Sequence, residues 1–454
     1  MKRLQHLQQK LRARRRRRGV ALIMVLGALA VLTVMLTEVQ DDSSSDFSAT
    51  IAARDQLAAE YAAKSAINLT RLLIATEPTI RQSAGFLLGA IYGGQPPQLP
   101  VWEYANQVLG AFNDQAGKEA FSALSGLDLA QGEHLGLEGA SFEVDVVDED
   151  SKINVNMAVG SSFSKQRLML QLIALTAGPQ YEALFSERDA DGQHSDRQSI
   201  CAALIDWADS DQDLWACDGS ETAQQTAPED SFYERLDKPY TRKNAPYDSL
   251  LELYRVRGVG EDYWSTFIEP DPDKPDDRVM TVWGQGTLNI NSANPQVLLA
   301  MICQQADVNT KICDGAEGSA QFLGMLKMMK MLTNGVPLFA SPKQFVTTLK
   351  GGGMFGPMMV EQGVGPIVLK SEKTLTDQLS TESKIFSIYA KGSVQAGKRE
   401  STTRIHAVVD FRQAPPPGEV QTAAEAQEVM EQAQAIGAAL KPSAAGSIVY
   451  YRVD

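Results

Sequence analysis

The sequence predicts an α+β fold: a helix-plus-sheet unit that follows an apolar N-terminal helix and is interrupted by a large all-helical insertion. Three patterns predict it. An uncharged run from Val20 to Thr37 passes into helical periodicity, alternating segments lie near Ser141 and beyond Ile385, and helical spacing dominates between them. At 454 residues the chain exceeds one ordinary domain, so two or three folding units with their own cores are expected. A content of 44% hydrophobic and 22% charged residues is that of a globular protein, which makes disorder a local question.

The first 19 residues hold Lys2, Arg3, Lys10, Arg12 and Arg14 to Arg18, nine basic groups and no acid. Such a run can be a nucleic-acid arm or a nuclear signal, but its context here decides otherwise. Val20 to Thr37 carries no charge over 18 residues. As a helix it spans about 27 Å, enough to cross a bilayer core. Basic residues before it and Glu38, Asp41, Asp42 and Asp46 after it place the N-terminus in the cytoplasm and the body outside. A secretory signal would end in a small-x-small site, which Leu36-Thr37-Glu38-Val39 does not match, whereas a cut before the apolar run, at Gly19, fits better. The chain's net charge is −14, and removing the nine leader cations leaves 33 basic against 56 acidic residues, or −23. That field opposes nucleic acid and anionic headgroups and favours cations or basic partner surfaces.

Beyond the anchor, Phe47, Ile51, Ala58, Ala62, Ser65, Leu69 and Leu72 recur at helical spacing, a small-residue stripe suited either to close approach to a sheet or to an ordinary core. Pro78 and Gly93-Gly94-Gln95-Pro96-Pro97 are expected to break the helix. Ser141 to Val146 alternates as a half-buried strand does, and Asp148 to Asp150 and Lys152-Ile153-Asn154-Val155-Asn156 follow it. Helical patterns then run from about 160 to 375, at Gln166–Ala177, Ser199–Ala208, Ser249–Val256 and Pro295–Ile302. Strand character returns at Ile385–Ala390, Thr403–Phe411 and Ile448–Val453. The methionines of Gln321–Met331, with Met354, Met358 and Met359, suit an irregular core or an adaptable surface. Gly351 to Gly356 reads as a flexible linker, and 414–446 as a tail or exposed helix.

Four cysteines fall as two local pairs, Cys201/Cys217 and Cys303/Cys313. Three connectivities are open; the local one is favoured in an extracytoplasmic compartment, each bond adding about 2–4 kcal/mol. His6, His134, His194 and His406 are scattered, and none sits at zinc-ligand spacing from a cysteine.

Asp206, Asp209, Asp211 and Asp213 crowd four carboxylates into eight residues, followed by Asp218, Glu229 and Asp230. Such a group is either solvated or relieved by a hard cation, and oxygen-only donors select calcium, so calcium is expected here. The Asp209-x-Asp211-x-Asp213 spacing imitates an EF-hand loop, but Leu214 stands where that loop needs glycine and Ser220 where it needs glutamate. No nucleophile–base–orienter set stands out; Ser162-x-x-Lys165 lacks the companion motifs of serine acyl-enzymes, so no enzyme is expected. Leu253 to Gly260 and Asn289 to Asn294 look like helix-hairpin-helix phrases, which supports a rival reading as a membrane-anchored DNA receptor. The acidic body makes that binding weak.

In order along the chain, Arg18 to Val25, Asp150 to Asn156, Asp206 to Asp211 with Glu229 to Tyr233, Ser249 to Gly258 and Leu288 to Ala293 resemble the K-type minor pseudopilins of type II secretion systems. The resemblance implies a pilin-like fold, a long N-terminal helix on a small antiparallel sheet, carrying the helical insertion. The expected units are a leader at 1–19, the helix at 20–75, pilin-like segments at 76–157 and 376–454, and the insertion at 158–375. It further implies cleavage after Gly19 by a prepilin peptidase, N-methylation of Val20, calcium in the insertion, and assembly with the I and J minor pseudopilins. Those subunits, other pseudopilins and an inner-membrane assembly platform are the partners expected at a periplasmic pseudopilus, with no nucleic acid or small-molecule substrate. Most pilin-like proteins have glutamate at the fifth mature position, where this chain has Met24. A buried glutamate without a partner is costly, so its absence suits a subunit with no neighbour above it, at the tip.

Overall fold

The computed structural model describes residues 2–85, 89, 92, 96–111, 113, 139–186, 188, 194–218, 229–236, 238–307, 310–313, 315–333, 336–397, 399–415 and 443–453. The N-terminal helix, α1, runs from Lys2 to Ser83. From Val20 to Thr37 it is exposed on every side, an apolar cylinder long enough to cross a membrane. Its distal half is buried along one face, by Ala59, Ala62, Ala63, Ala66, Ile67 and Ile74. The true contact stripe is therefore rotated from the one the periodicity predicts, since Phe47 and Leu72 face outward. Small side chains there let the helix backbone approach the sheet.

The strands, in chain order, are β1 (Ala140–Asp148), the two-residue β2 (Ile153–Asn154), β3 (Met280–Thr281), β4 (Leu288–Asn289) and β5 (Leu379–Ser380), then β6 (Ile385–Ala396), β7 (Arg399–Asp410) and β8 (Ser447–Val453). An antiparallel four-stranded sheet has the order β1-β6-β7-β8, with Val144 opposite Ala390 and Gly392 opposite Thr403. Alternation in β1 turns Phe142, Val144 and Val146 toward α1, where they meet Phe386, Ile388, Ile405 and Ala407. The close approach has a specific cause: a Cβ on Gly392 would lie 1.9 Å from the Ala59 carbonyl oxygen. Only glycine permits the helix to lie there.

Between β1 and β6 the chain builds a second, larger core running from Ile153 to Leu379, slightly wider than the 158–375 expected. Its main helices are Ser162–Thr176, Arg197–Asp206, Pro295–Gln305, Ala316–Leu332 and Pro342–Leu349. Ser161, Asp196, Asn294 and Ser341 cap four of them, each side chain accepting from a backbone N–H of the first turn. The parallel pairs β2–β3 and β4–β5 stitch the beginning and end of this unit to its interior.

Several expectations are corrected. The helix does not stop at Pro78 or at 75 but continues to Ser83. A proline inside a helix costs about 3 kcal/mol. Here neighbouring contacts hold the last turns: Glu77 accepts from the Leu99 amide at 2.8 Å, and Arg81 donates to Glu382 at 3.0 Å. Ser249–Val256 forms a 3-10 helix, Leu250–Arg255, rather than an α-helix. Gly351 to Gly356 is a packed turn rather than a loose linker, because a Cβ on Gly356 would sit 2.3 Å from the Gly351 carbonyl carbon. The methionine segment splits by face: Met325, Met329 and Met359 are core, while Met331 and Met354 point outward. The Gly93–Gln95 cluster and residues 416–442 of the predicted tail lie outside the described residues.

Candidate functional site

Where β1 ends, the chain places three consecutive acids, Asp148, Glu149 and Asp150, all at most 5% exposed. Burial of that kind is tolerable only with full hydrogen bonding. Asp148 accepts from the hydroxyls of Ser292 and Ser383 and from the Asp150 amide. Asp150 accepts from the backbone amides of Gln285 (2.7 Å), Lys384 (2.7 Å) and Ile385 (3.2 Å), and Glu149 from the Ser387 hydroxyl. Lys152 donates its ammonium to the Asp148 carbonyl at 2.8 Å. These donors come from the insertion and from β6, so the three acids clasp the insertion to the sheet. Burial first, and the Asp148 carboxylate second, push Asp150 up to about 7.

The side-chain amides beside the clasp are consumed in the same way. Asn154 donates to the Gly284 carbonyl, Asn156 to those of Tyr247 and Val282, Asn289 to the Ser383 hydroxyl, and Asn291 to the Phe339 carbonyl. Leu253, Val256 and Val259 are core residues. The named side chains of the two segments that resemble helix-hairpin-helix turns are thus spent on internal bonds and packing.

The acidic loop follows the helix Arg197–Asp206 and is pinned by the Cys201–Cys217 disulfide. The second disulfide joins Cys303 to Cys313, so both bonds follow the local pairing. Inside the loop the carboxylates do not converge on a common point. Asp206, 2% exposed, gives one oxygen to the Trp215 amide at 3.0 Å, and burial pushes it up to about 8. Asp209, 1% exposed, and the half-exposed Asp211 both receive the Lys165 ammonium, at 2.9 Å each. Partial burial would raise Asp211, but its bond from Lys165 prevails and holds it below the usual carboxylate range. Asp230 accepts from Arg242 through both the backbone amide and Nε at 3.1 Å, and Arg242 Nη1 donates to the Asp206 carbonyl at 2.8 Å. Asp213 is half-buried, with its amide donating to Asp211, and Asp218 is exposed. The side chain of Glu229 lies outside the described residues.

Calcium takes six to eight oxygens at about 2.3–2.6 Å. Among the described residues no group of three or more carboxylate, histidine or cysteine side chains is arranged to hold a metal. The described side chains among the expected ligands, Asp206, Asp209, Asp211, Asp213, Asp218 and Asp230, therefore do not form a calcium cage. Their charge is met instead by Lys165 and Arg242, neither of which the sequence marks for this role. Lys165 drew notice only as part of Ser162-x-x-Lys165, and it bonds to Asp209 and Asp211, while Ser162 is exposed.

At the other end of the molecule, Gly19, Val20 and Met24 lie within α1, with Val20 and Met24 exposed. Residues 151–267, from the clasp through the acidic loop into the insertion core, match the family model for type II secretion system protein K. Over these residues the chain is similar to the protein K family. A chain in the crystal structure of the GspK-GspI-GspJ complex from the enterotoxigenic Escherichia coli type 2 secretion system is similar over 70% of this chain and 82% of that one. The identity is 14% and the TM-score 0.36. No curated protein matches the chain. The matched segment thus carries the acidic loop pinned by Cys201–Cys217 and, of the clasp, Lys152, while the span lies well outside it.

Proposed function

We propose that the chain is a non-enzymatic minor pseudopilin of a type II secretion system. In this reading it is cut after Gly19, N-methylated at Val20 and held in the inner membrane by the apolar half of α1, with the body in the periplasm. It assembles with I- and J-type minor pseudopilins, with other pseudopilins and on the inner-membrane assembly platform, at the pseudopilus tip, where it helps initiate assembly and export across the outer membrane. The observation that carries the reading is the joining of a protein K domain to a single helix whose first half is an exposed apolar cylinder and whose second half lies on a sheet. Exposed apolar surface of that extent demands lipid or neighbouring helices.

N-terminal mass spectrometry of the protein from cells with and without the prepilin peptidase tests the processing. A chain beginning at N-methylated Val20 in the first case and uncut in the second supports it; a cut beyond residue 37, or none, overturns it. The tip placement rests on Met24, where a neighbour's terminal amine would find no carboxylate. Site-specific crosslinking from Met24 in the assembled pseudopilus should reach subunits on the membrane side alone, and a partner on the distal side defeats the placement.

A further inference from the structure

We infer that Lys165 and Arg242 are the permanent counter-cations of the acidic loop, so that this protein K domain holds the loop closed without a divalent metal. The argument begins with position. Ser161 caps the helix Ser162–Thr176, and Lys165 lies in its first turn, from which the ammonium reaches both Asp209 and Asp211 at 2.9 Å. Lys165 is only 9% exposed, and its ammonium stands 5.6 Å from the centre of the Trp215 ring. A cation held by two carboxylates and an aromatic face has little reason to leave.

The second cation closes the other side. Arg242 is 6% exposed, bonded to the Asp206 carbonyl and to Asp230, with Nη1 3.9 Å from the Asp209 oxygen Oδ1 that has no hydrogen-bond donor of its own. Asp209 is therefore flanked by a fixed positive charge on each oxygen. A calcium ion drawing on Asp209 and Asp211 together would compete with the Lys165 ammonium for the oxygens that hold it and would sit beside two fixed positive charges, Lys165 and Arg242. The disulfide Cys201–Cys217 and the Asn244 amide, bonded to the Trp207 carbonyl at 3.0 Å, already fix the loop backbone. The closure that a metal could give is thus supplied by the chain.

The test is thermal unfolding and calorimetric titration of the full chain in detergent, with calcium chloride and with EDTA. The wild type should melt at the same temperature in both and give no binding heat. Lys165→Gln should melt at least about 3 °C lower in EDTA and recover with calcium, because two unpaired carboxylates then become available to the ion, while Lys165→Arg stays close to wild type in both. A wild-type melting temperature that rises with calcium, or a saturable heat, overturns the inference, as does a Lys165→Gln protein that melts like wild type in EDTA. Should Lys165→Gln fail to fold, the wild-type titration decides by itself: a flat one upholds the inference and a saturable one ends it.

Discussion

Two acidic groups, the buried Asp148 to Asp150 and the partly buried Asp206 to Asp211, are balanced by different chemistry. The first is met by hydroxyls and backbone amides from segments far apart in the chain, at Gln285, Ser292, Ser383 and Lys384. In the second, Asp206 accepts from the Trp215 amide, while Asp209 and Asp211 are met by cationic side chains, Lys165 bonded to both and Arg242 3.9 Å from Asp209. Backbone donors are directional and fixed by the fold, so the first group specifies how the insertion sits on the sheet. Cationic side chains tolerate a change of angle, so the second group stabilises a loop without dictating the arrangement of distant elements.

The largest effect should follow from breaking the directional group. Asp148→Ala strands the buried Ser383 hydroxyl, the half-buried Ser292 hydroxyl and the buried Asp150 amide, and is expected to cost about 3 kcal/mol and to expose the junction between Asp150 and β2 to proteolysis. Asp211→Ala, which removes a half-exposed partner of Lys165, should cost no more than about 1 kcal/mol. Denaturant unfolding of the full chain in detergent, with limited proteolysis alongside, measures both. Equal costs would mean that the two groups do the same job after all.

Periodicity and alternation were enough to read most of the framework. The strands around Val144, Ile388 and Ala407 are legible because each puts one apolar face on the core under α1, and β1 alternates it with exposed positions. The exact face of α1 was not, since an alanine-rich helix shows little contrast and the register depends on Gly392, more than 300 residues away. The two disulfides were legible because each closes a short loop. The clasp was visible as an acidic phrase, but not as a clasp, because its donors are largely backbone amides and serines that carry no sequence signal. The partner of the acidic loop was hidden for a related reason: its carboxylates are adjacent in sequence, whereas Lys165 lies 44 residues before Asp209. Charge density can be read locally; charge compensation cannot.

The smaller effect expected at the clasp is a pH dependence. Asp150 is raised from 3.8 to about 7, chiefly by burial and then by Asp148. A carboxyl raised on folding contributes stability that is fully present below its unfolded pKa and is lost as pH rises through its folded one. The melting temperature of the full chain should therefore fall between about pH 5 and about pH 8, a window in which Asp206, raised to about 8, acts in the same direction. Asp148→Asn separates the two. Its amide keeps an acceptor for the Asp150 N–H, and the serine hydroxyls can turn to accept from its NH₂, so the clasp stays bonded while the neighbouring charge is gone. Burial raises Asp148 as well, so the substitution removes that carboxyl's own share and lets Asp150 ionise more easily; the fall with pH should be shallower than in wild type, the Asp206 share being left unchanged. Parallel curves for the two proteins would mean that Asp148 neither titrates on unfolding nor is sensed by Asp150, and the coupling inside the clasp would have to be given up.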